Sequence, residues 1–338
     1  MIYAQSRTFA IVMINLYPGP SQLFHSVRDH IRQALKLKLP ELPAESNEAA
    51  ELIQQTSQRF RELLSIPSTF TLYFFPSSDI IRERINLDLS RHGSVHLGNG
   101  DAQPLTPETE LITLTHTEVN GTHIPPEIIS QYARAYPKAL IAVDASCALP
   151  YASLPYEDID IVFLDFHFGF GLPAGLAVWM VNDKCFERHA LIRQSQGYND
   201  SAFSLGNLQK HSSSDGASRD INLLMIATLN GVLGDMLSRG IHTLRKETEY
   251  KAAILYHLLG NHPFISPAVS EKSARARTII AADCGTNYKY VSTSLQRHAV
   301  VVGPGQGRFR DRHLLFANFP THSREQFERV IDILNDIR

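Results

Sequence analysis

Residues 140–182 constrain the fold of this chain more than any other stretch, and they read LIAVDASCALPYASLPYEDIDIVFLDFHFGFGLPAGLAVWMVN. Two apolar runs in it, residues 141–144 and residues 160–165, each end at an aspartate. A glycine-rich loop then leads into a third apolar run, residues 176–181. Apolar runs that stop at polar residues are typical of buried parallel strands, whose ends meet at one edge of a sheet. We therefore predict an α/β fold that gathers functional side chains at such an edge.

The composition fits a cytoplasmic globular protein. The chain has 338 residues, of which 43% are hydrophobic and 20% are charged, which is enough for two packed domains. Its three cysteines form no CxxC pair, so we expect neither a disulfide framework nor a zinc ribbon, and the pattern suits a reducing cytosol. The 15 histidines include no HExxH spacing, so no metal site is indicated.

Charge and hydropathy argue against two classes of partner. The net charge of -2 gives no electrostatic reason to expect nucleic acid or an anionic membrane surface. No apolar stretch approaches the roughly 20 residues that a membrane span requires. We therefore expect a small-molecule ligand or substrate, with no nucleic acid and no membrane as partners.

The remaining periodicity predicts helices and strands along the whole chain. We expect helices at residues 22–37, 48–64, 80–89, 127–135, 185–194, 220–239, 241–259 and 323–337. Further strands are expected at residues 69–75, 94–97, 111–114, 277–282, 288–293, 299–302 and 313–316, with a long loop over 196–219. This order predicts a large α/β domain with an N-terminal arm over residues 1–238 and a smaller α+β domain over residues 239–338.

A strand followed by small polar residues forms a possible anion pocket near residue 78. The predicted strand at residues 69–75 runs into Pro76, Ser77 and Ser78, which open a helix. The first N–H groups of a helix are free, so such a junction favours a bound anion. Asp79 stands within this junction, where it either contacts a ligand or simply caps its own helix.

Several segments together resemble class V aminotransferases of fold type I, and within them the phosphoserine aminotransferase branch. The segments are YPGPSQL, THTEVNGTHIP, ALIAVDAS, GFGLPAGLAVWMVND and LLFANFP, in this order along nearly the full chain. The resemblance implies a large domain built on a mostly parallel, seven-stranded sheet and a smaller C-terminal α+β domain. It also implies a homodimer with its cleft at the subunit interface, and pyridoxal phosphate held by a lysine.

The lysine position of that family is occupied by Phe168. An ungapped match back from Gly171 places His167 and Phe168 at the family's Gln-Lys or His-Lys pair. A phenyl ring cannot form an imine, so covalent cofactor chemistry would lose its resting state. Asp144 matches the aspartate that pairs with the cofactor's ring nitrogen. It is either a remnant of that role or a structural residue at a strand end.

Other family positions change in the same direction. Asp79 stands at the phosphate cup, where its charge opposes a phosphate by roughly 4 kcal/mol per pair of unit charges about 4 Å apart at an effective dielectric near 20. Val119 replaces a threonine that contacts the cofactor ring, while Glu45 and Leu315 replace arginines that grip substrate carboxylates. From these losses we predict that the protein has no cofactor and that pyridoxal phosphate is absent.

The resemblance places seven residues in the altered pocket. His167 is the candidate acid or base, with Asp144 and His116 as catalytic partners. The candidate substrate contacts are Phe168, Glu118, Asp79 and Glu45. Acidic replacements favour a cationic or amine-bearing ligand, although both histidines could equally be satisfied polar residues in a disused cleft.

Three functions stay open at this point. The first is a cofactor-independent acid–base enzyme on an aminotransferase scaffold, acting on a small amine- or amino-acid-like metabolite, for example in specialised metabolism. The second is a catalytically silent homologue that binds a ligand or a partner subunit. The third is an enzyme that holds pyridoxal or pyridoxamine phosphate non-covalently, or keeps residual transaminase-like activity.

Overall fold

The larger of two sheets has seven strands and confirms the predicted fold class. The computed structural model describes residues 13–91, 94–97, 105–196, 201–211, 215–218 and 221–337. The strands of the larger sheet are β2 (Phe70–Phe75), β3 (Ser94–Leu97), β4 (Leu111–Thr115), β5 (Leu140–Asp144), β6 (Ile161–Asp165), β7 (Ala177–Asn182) and β8 (Gly216–Ala217). Their spatial order is β3-β4-β5-β6-β7-β2-β8.

Strand β7 is the exception to the parallel arrangement. Strands β3, β4, β5 and β6 are parallel to one another, whereas β7 is antiparallel to both β6 and β2. The prediction that all three apolar runs of residues 140–182 are parallel was therefore wrong for the third. Because β7 returns directly through the glycine-rich loop, no helical crossover separates it from β6, and an antiparallel pairing results.

Helices cover both faces of the larger sheet. One face packs against α1 (Val27–Lys36), α2 (Asn47–Leu64), α4 (Pro126–Ala135) and α7 (Leu223–Arg239), and the other against α3 (Ser78–Leu89), α5 (Asp183–Gln196) and α6 (Leu205–His211). Both faces of the central strands are consequently apolar, which explains the continuous hydrophobic runs in the sequence. In the described part of the chain, no helix is both long and apolar enough to cross a lipid bilayer.

The smaller sheet carries its own helices and its own core. Its strands, in the order β1-β11-β12-β10-β9, are β1 (Ile14–Leu16), β11 (Val300–Pro304), β12 (His313–Ala317), β10 (Ile279–Asp283) and β9 (Ser266–Pro267). Packed against it are α8 (Ile241–Asn261), α9 (Tyr288–Arg297) and α10 (Arg324–Asp336). A capping box of Ser323 and Gln326 begins α10, close to the start of the helix predicted at residues 323–337.

The N-terminal strand belongs to the smaller sheet, although the sequence placed it with the larger domain. Residues 14–16 of β1 pair in parallel with residues 300–302 of β11. The rest of the predicted N-terminal arm, residues 1–12, lies outside the described residues. The domain boundary at 238–239 stays a prediction, and at this point α7 ends and Gly240 has a φ of 81°.

The predicted strand at residues 288–293 and the predicted loop at residues 196–219 differ from the structure. Residues 288–293 lie in α9 instead of a strand, because Val291 and Leu295 at helical spacing are the buried residues. The predicted loop 196–219 contains α6, whose Leu205 and Leu208 are buried, as well as β8.

The helix predicted from residue 22 begins only at Val27. Before it, the backbone N–H groups of Ser21 and Phe24 donate to the carbonyls of His167 and Gly171, at 3.3 and 2.9 Å. These bonds hold the segment extended against the glycine-rich loop. A tertiary contact of this kind overrides local helix propensity.

Candidate functional site

The carboxyl ends of β5 and β6 bring Asp144 and Asp165 to one edge of the larger sheet. The two strands are parallel, and Asp144 is in register with Phe163, two residues before Asp165. Asp144 is buried and Asp165 is half-buried. Together with their partners Arg82 and Ser78, we call these residues the carboxylate edge.

Asp144 is paired with an arginine from α3. Arg82 Nη2 lies 2.8 Å from Asp144 Oδ2, and the backbone N–H of Ser146 donates to Oδ1 at 3.0 Å. The Arg82 guanidinium also lies 5.4 Å from the centroid of the Phe163 ring. The charge of Asp144 is thus already compensated within the chain.

Asp165 accepts hydrogen bonds at the N-terminus of α3. The backbone N–H of Ser78 donates to Oδ1 at 3.1 Å, and the Ser78 hydroxyl makes a short hydrogen bond to Oδ2. A helix N-terminus favours negative charge, so the carboxylate sits where the resemblance would place a phosphate. The anion position of this junction is therefore taken by the chain itself.

Asp79 neither caps α3 nor joins this hydrogen-bond pair. The N-cap is Ser77, whose hydroxyl oxygen accepts from the Asp79 backbone N–H at 3.0 Å. The Asp79 side chain is exposed in the first helical turn, where its charge suits the helix dipole. The suggestion that Asp79 caps its own helix was therefore wrong.

His167 follows Asp165 of the carboxylate edge by two positions in the chain, and the two side chains interact electrostatically. Burial lowers the pKa of its imidazole, and the nearby charge of Asp165 opposes that change. Burial likewise raises the pKa of Asp165, against the hydrogen bonds from Ser78 and the charge of His167. Nδ1 of His167 is buried and has no hydrogen-bond partner among the described residues. The imidazole is thus favoured in its neutral form, with one nitrogen available to a ligand.

Phe168 packs into a small apolar cluster that joins both sheets. The cluster contains Cys147, Ile279, Ala317 and Phe319, with Val119 and Phe168 against it. The rings of Phe168 and Phe319 meet edge to face with centroids 6.3 Å apart, and a Cβ on Gly19 would collide with the Phe168 ring. The side chain at the position where the resemblance places a lysine is therefore part of a hydrophobic contact.

The Cys147 thiol is affected by the charge of Glu118 as well as by the charges of Asp144 and Asp165. Burial raises the pKa of the Cys147 thiol, and the charges of Asp144, Glu118 and Asp165 raise it further. A thiol under these conditions stays protonated, so it is not a nucleophile. The charges of three carboxylates consequently act on one small buried side chain.

The His116 backbone borders this group, since its N–H donates to the Asp144 carbonyl at 3.0 Å, whereas in the described part of the chain its side chain and Glu45 are not bonded to the group. The His116 ring stacks with His123 at a centroid distance of 6.3 Å, and burial and His123 lower its pKa to about 4. Glu45 is exposed in the turn before the α2 N-cap, Ser46. Within the described residues, no hydrogen bond joins Glu45 or the His116 side chain to Asp144, Asp165 or His167.

No lysine of the described residues takes the place of residue 168. Lys251 approaches the apolar cluster, but its Nζ donates to the carbonyls of Phe319 and His322, both at 2.8 Å. Burial lowers the pKa of Lys251 to about 7. Lys184, which follows β7, pairs with Asp160 at 3.0 Å. Both lysines thus have structural partners.

Sequence reasoning missed two residues of the carboxylate edge. Arg82 was not singled out, yet it is four positions after Ser78 and so lies on the same helical face. Asp165 was noted only as the end of an apolar run. The position of Asp165 at the end of an apolar run, two residues before His167, was a usable signal, because strand ends bring polar side chains to the edge of the sheet.

Solved structures of aminotransferases are similar to this chain over nearly its full length. A phosphoserine aminotransferase from Cytophaga hutchinsonii is 27% identical, with 96% of this chain and 98% of that chain covered and a TM-score of 0.89. A phosphoserine aminotransferase studied for radiation damage of its Schiff base is 14% identical, with coverages of 96% and 98% and a TM-score of 0.77. A pyridoxal-phosphate-bound phosphoserine aminotransferase from Trichomonas vaginalis is 12% identical, with coverages of 96% and 100% and a TM-score of 0.70. No family model and no curated protein sequence matches the chain.

These similarities contradict the prediction that the protein has no cofactor. One similar enzyme is described with pyridoxal phosphate bound and another with its Schiff base. Pyridoxal phosphate is the norm among proteins of this fold, and we withdraw the prediction of its absence. The error was to infer the loss of all binding from the loss of individual contacts, since a cofactor is held by many groups at once.

The residues of this chain do not fit a covalently held pyridoxal phosphate. Phe168 offers no amine, and the Ser78 donors at the α3 N-terminus are taken by Asp165. The carboxylate of Asp144, which the resemblance pairs with the ring nitrogen, is bound to Arg82. The scaffold is nevertheless shared: the chain has the fold of the class V, fold-type-I aminotransferases and is similar over nearly its full length to a phosphoserine aminotransferase.

Proposed function

We propose that this protein is an aminotransferase-fold protein that acts on a small amine- or amino-acid-like metabolite without forming an imine through residue 168. The observation that carries the proposal is the packing of Phe168 against Phe319 and Gly19, at the position where the resemblance requires a lysine. Any pyridoxal group in this cleft is accordingly held by non-covalent contacts.

The charge of the carboxylate edge supports an amine-bearing ligand. The charges of Asp144, Glu118 and Asp165 all raise the pKa of the Cys147 thiol, and Arg82 pairs with one of these carboxylates, Asp144, at 2.8 Å. Carboxylates at low dielectric attract a cation more strongly than they would in water. A substrate ammonium group would therefore compete with Arg82 for this edge.

His167 is the proposed acid or base for the reaction. Its neutral imidazole is adjacent to Asp165, and its Nδ1 has no partner in the described part of the chain. A neutral imidazole can take a proton from a ligand and return it, while the nearby carboxylate stabilises the imidazolium. His116 is not proposed to share this role, because its ring stacks on His123 and its pKa is lowered to about 4.

A second candidate, a binding protein without catalysis, is favoured by the Arg82–Asp144 ion pair. That pair satisfies the carboxylate most deeply buried at the edge, so the cleft is stable with no ligand. Proton NMR on a panel of primary amines and amino acids separates the two candidates. The enzyme consumes one of them and His167→Gln stops the consumption, whereas a silent protein only broadens the ligand signals.

The covalent part of the proposal is tested on the wild-type chain. The protein is incubated with pyridoxal phosphate, reduced with sodium borohydride, digested and analysed by mass spectrometry. We expect no reduced adduct on a lysine of the cleft, including Lys251. An adduct there would show that another lysine has taken over the imine, and would refute the proposal.

We also propose that the protein is a homodimer in the cytoplasm, as the resemblance suggests. Sedimentation equilibrium is the direct measurement. A mass near 37.9 kDa at micromolar concentration, the mass of a single chain, would contradict it.

A further inference from the structure

A cavity of about 210 Å³ lies between the loop after β4 and the segment that leads into β10. Its walls include His116, His123, Lys272, Arg275 and Arg277, which we call the basic pocket. The cavity has room for a few heavy atoms of a small molecule, and it adjoins the carboxylate edge through His116, whose backbone N–H donates to the Asp144 carbonyl at 3.0 Å.

The walls of the basic pocket are fixed by backbone hydrogen bonds. The His123 N–H donates to the Ala274 carbonyl at 2.9 Å, and the Ala276 N–H donates to the Gly121 carbonyl at 2.8 Å. Gly121 has a φ of 89°, and a Cβ there would lie 2.9 Å from the side chain of Ala281. The loop can therefore come this close to the smaller sheet only with glycine at that position.

Cations outnumber carboxylates around the cavity. Arg277 Nε pairs with Glu249 Oε1 at 3.0 Å, and Glu249 is half exposed and also accepts from the Tyr151 hydroxyl. Arg275 donates to the carbonyls of residues 269 and 270, and it has no salt bridge to a carboxylate in the described part of the chain. Lys272 is exposed and likewise has no such salt bridge there.

The acidic residue nearest to Arg275 in sequence does not neutralise the cavity. Glu271 is exposed, and its Oε1 accepts from the N–H and hydroxyl of Ser273 at 3.1 and 2.8 Å. Its carboxylate is thus engaged in capping a short helical turn. Lys272 and Arg275 therefore leave a surplus of positive charge in the pocket that no salt bridge of the described residues offsets.

Two neutral imidazoles complete the lining. Burial lowers the pKa of His123, and the charge of Arg277 lowers it further. Nδ1 of His123 is buried and has no hydrogen-bond partner among the described residues. A buried polar nitrogen without a partner is unusual and indicates a ligand or water that the chain itself does not supply.

We propose that the basic pocket binds a small oxyanion, a carboxylate or a phosphate group. A guanidinium presents paired donors that match the geometry of either group, and Lys272 adds a point charge at the mouth. The site is independent of the function proposed for the carboxylate edge. It would recognise either a separate anionic metabolite or the anionic end of an elongated one.

Isothermal titration of the intact protein with inorganic phosphate, and separately with acetate, at constant ionic strength tests the proposal. We expect millimolar or tighter binding of at least one anion, and the tighter of the two identifies phosphate or carboxylate as the preferred group. Arg277→Gln is expected to weaken binding about tenfold or more, since it removes a charged donor. Lys272→Gln, at an exposed position, is expected to weaken it about threefold.

Lys289→Gln on α9 is the matched control, because Lys289 is exposed, lies in the same part of the fold and does not line the cavity. It should bind the anion as the wild type does. Histidine-selective NMR supplies a second readout, with the His123 ring signal shifting on addition of the anion. Failure of the wild type to bind either anion, or equal weakening by Lys272→Gln and Lys289→Gln, would overturn the proposal.

Discussion

The carboxylate edge and the basic pocket are two ends of one region, and they have opposite charge. At the edge, Asp144, Asp165 and Glu118 outnumber Arg82. In the pocket, Lys272, Arg275 and Arg277 face two neutral histidines. At the edge, Asp144 is paired with Arg82 and Asp165 accepts from Ser78, whereas in the pocket Lys272 and Arg275 have no salt bridge to a carboxylate in the described part of the chain. A cationic ligand at the edge would therefore have to displace Arg82 from Asp144. An anionic ligand in the pocket would bind cations that have no salt bridge among the described residues.

The largest change in stability is expected for a substitution in the apolar cluster that contains Phe168. Phe168→Ala should lower the free energy of unfolding by about 3 kcal/mol, because it removes a ring that packs on Phe319 and Gly19. Urea denaturation measures the change. Tyr290→Ala, which removes an exposed ring on α9, is the control and should change stability by less than about 0.5 kcal/mol. An equally small loss for Phe168→Ala would show that the residue is not a packing element.

The second-largest change in stability is expected for the Arg82–Asp144 ion pair of the carboxylate edge. Arg82→Met should destabilise the protein by about 2 kcal/mol, since it leaves the buried Asp144 carboxylate without its partner. The value is below that of a fully buried pair, because Arg82 is 39% exposed. A double-mutant cycle with Asp144→Asn measures the pair itself. Strictly additive losses would mean that the contact contributes nothing.

The histidines of the pocket predict an acid-sensitive stability. The pKa of His116 is lowered to about 4, so between pH 6.5 and pH 4 the unfolded chain binds a proton that the folded chain does not. Stability is therefore expected to fall as the pH decreases through this window, by up to about 1.4 kcal/mol per pH unit for this one residue. Chemical denaturation at several pH values measures the slope, and His116→Gln should reduce it. An unchanged slope in the variant would place the acid sensitivity elsewhere.

The smallest expected effect is a change in the pKa of His167, for which we predict a direction and no magnitude. The charge of Asp165 raises the pKa of His167 against the effect of burial, so Asp165→Asn should lower that pKa. NMR titration of the imidazole signals measures the shift. Asp79→Asn removes an exposed carboxylate of α3 and should leave the signal unchanged. A higher pKa in Asp165→Asn would contradict the arrangement at the edge.

Much of the fold was predictable from local patterns, while the partners of the charged side chains were not. The apolar runs ending at Asp144 and Asp165 correctly located β5 and β6, and the capping box located α10. The pairing of Arg82 with Asp144 joins residues 62 positions apart, and the pairing of Ser78 with Asp165 joins residues 87 apart. Such contacts depend on how helices cross the sheet, which periodicity does not specify.

The site was predicted in part for the same reason. The resemblance led to residues 167 and 168, because an ungapped glycine-rich loop fixes their positions. It placed His116 with Asp144 through the family's geometry; the His116 backbone is bonded to Asp144, while its ring stacks on His123. A buried side chain at a strand end can face either side of the sheet edge, and the packing of the following loop decides which.

Trapping of an introduced lysine tests the central claim most directly, which is that Asp165 occupies the anion position beside a non-reactive residue 168. Phe168→Lys and the double variant Phe168→Lys with Asp165→Ser are incubated with pyridoxal phosphate, reduced with borohydride and examined by mass spectrometry. We predict a reduced adduct on residue 168 in the double variant only, because the Asp165 charge opposes the phosphate by about 4 kcal/mol per pair of unit charges at about 4 Å. An adduct of equal yield in the single variant, or none in the double variant, would contradict the account.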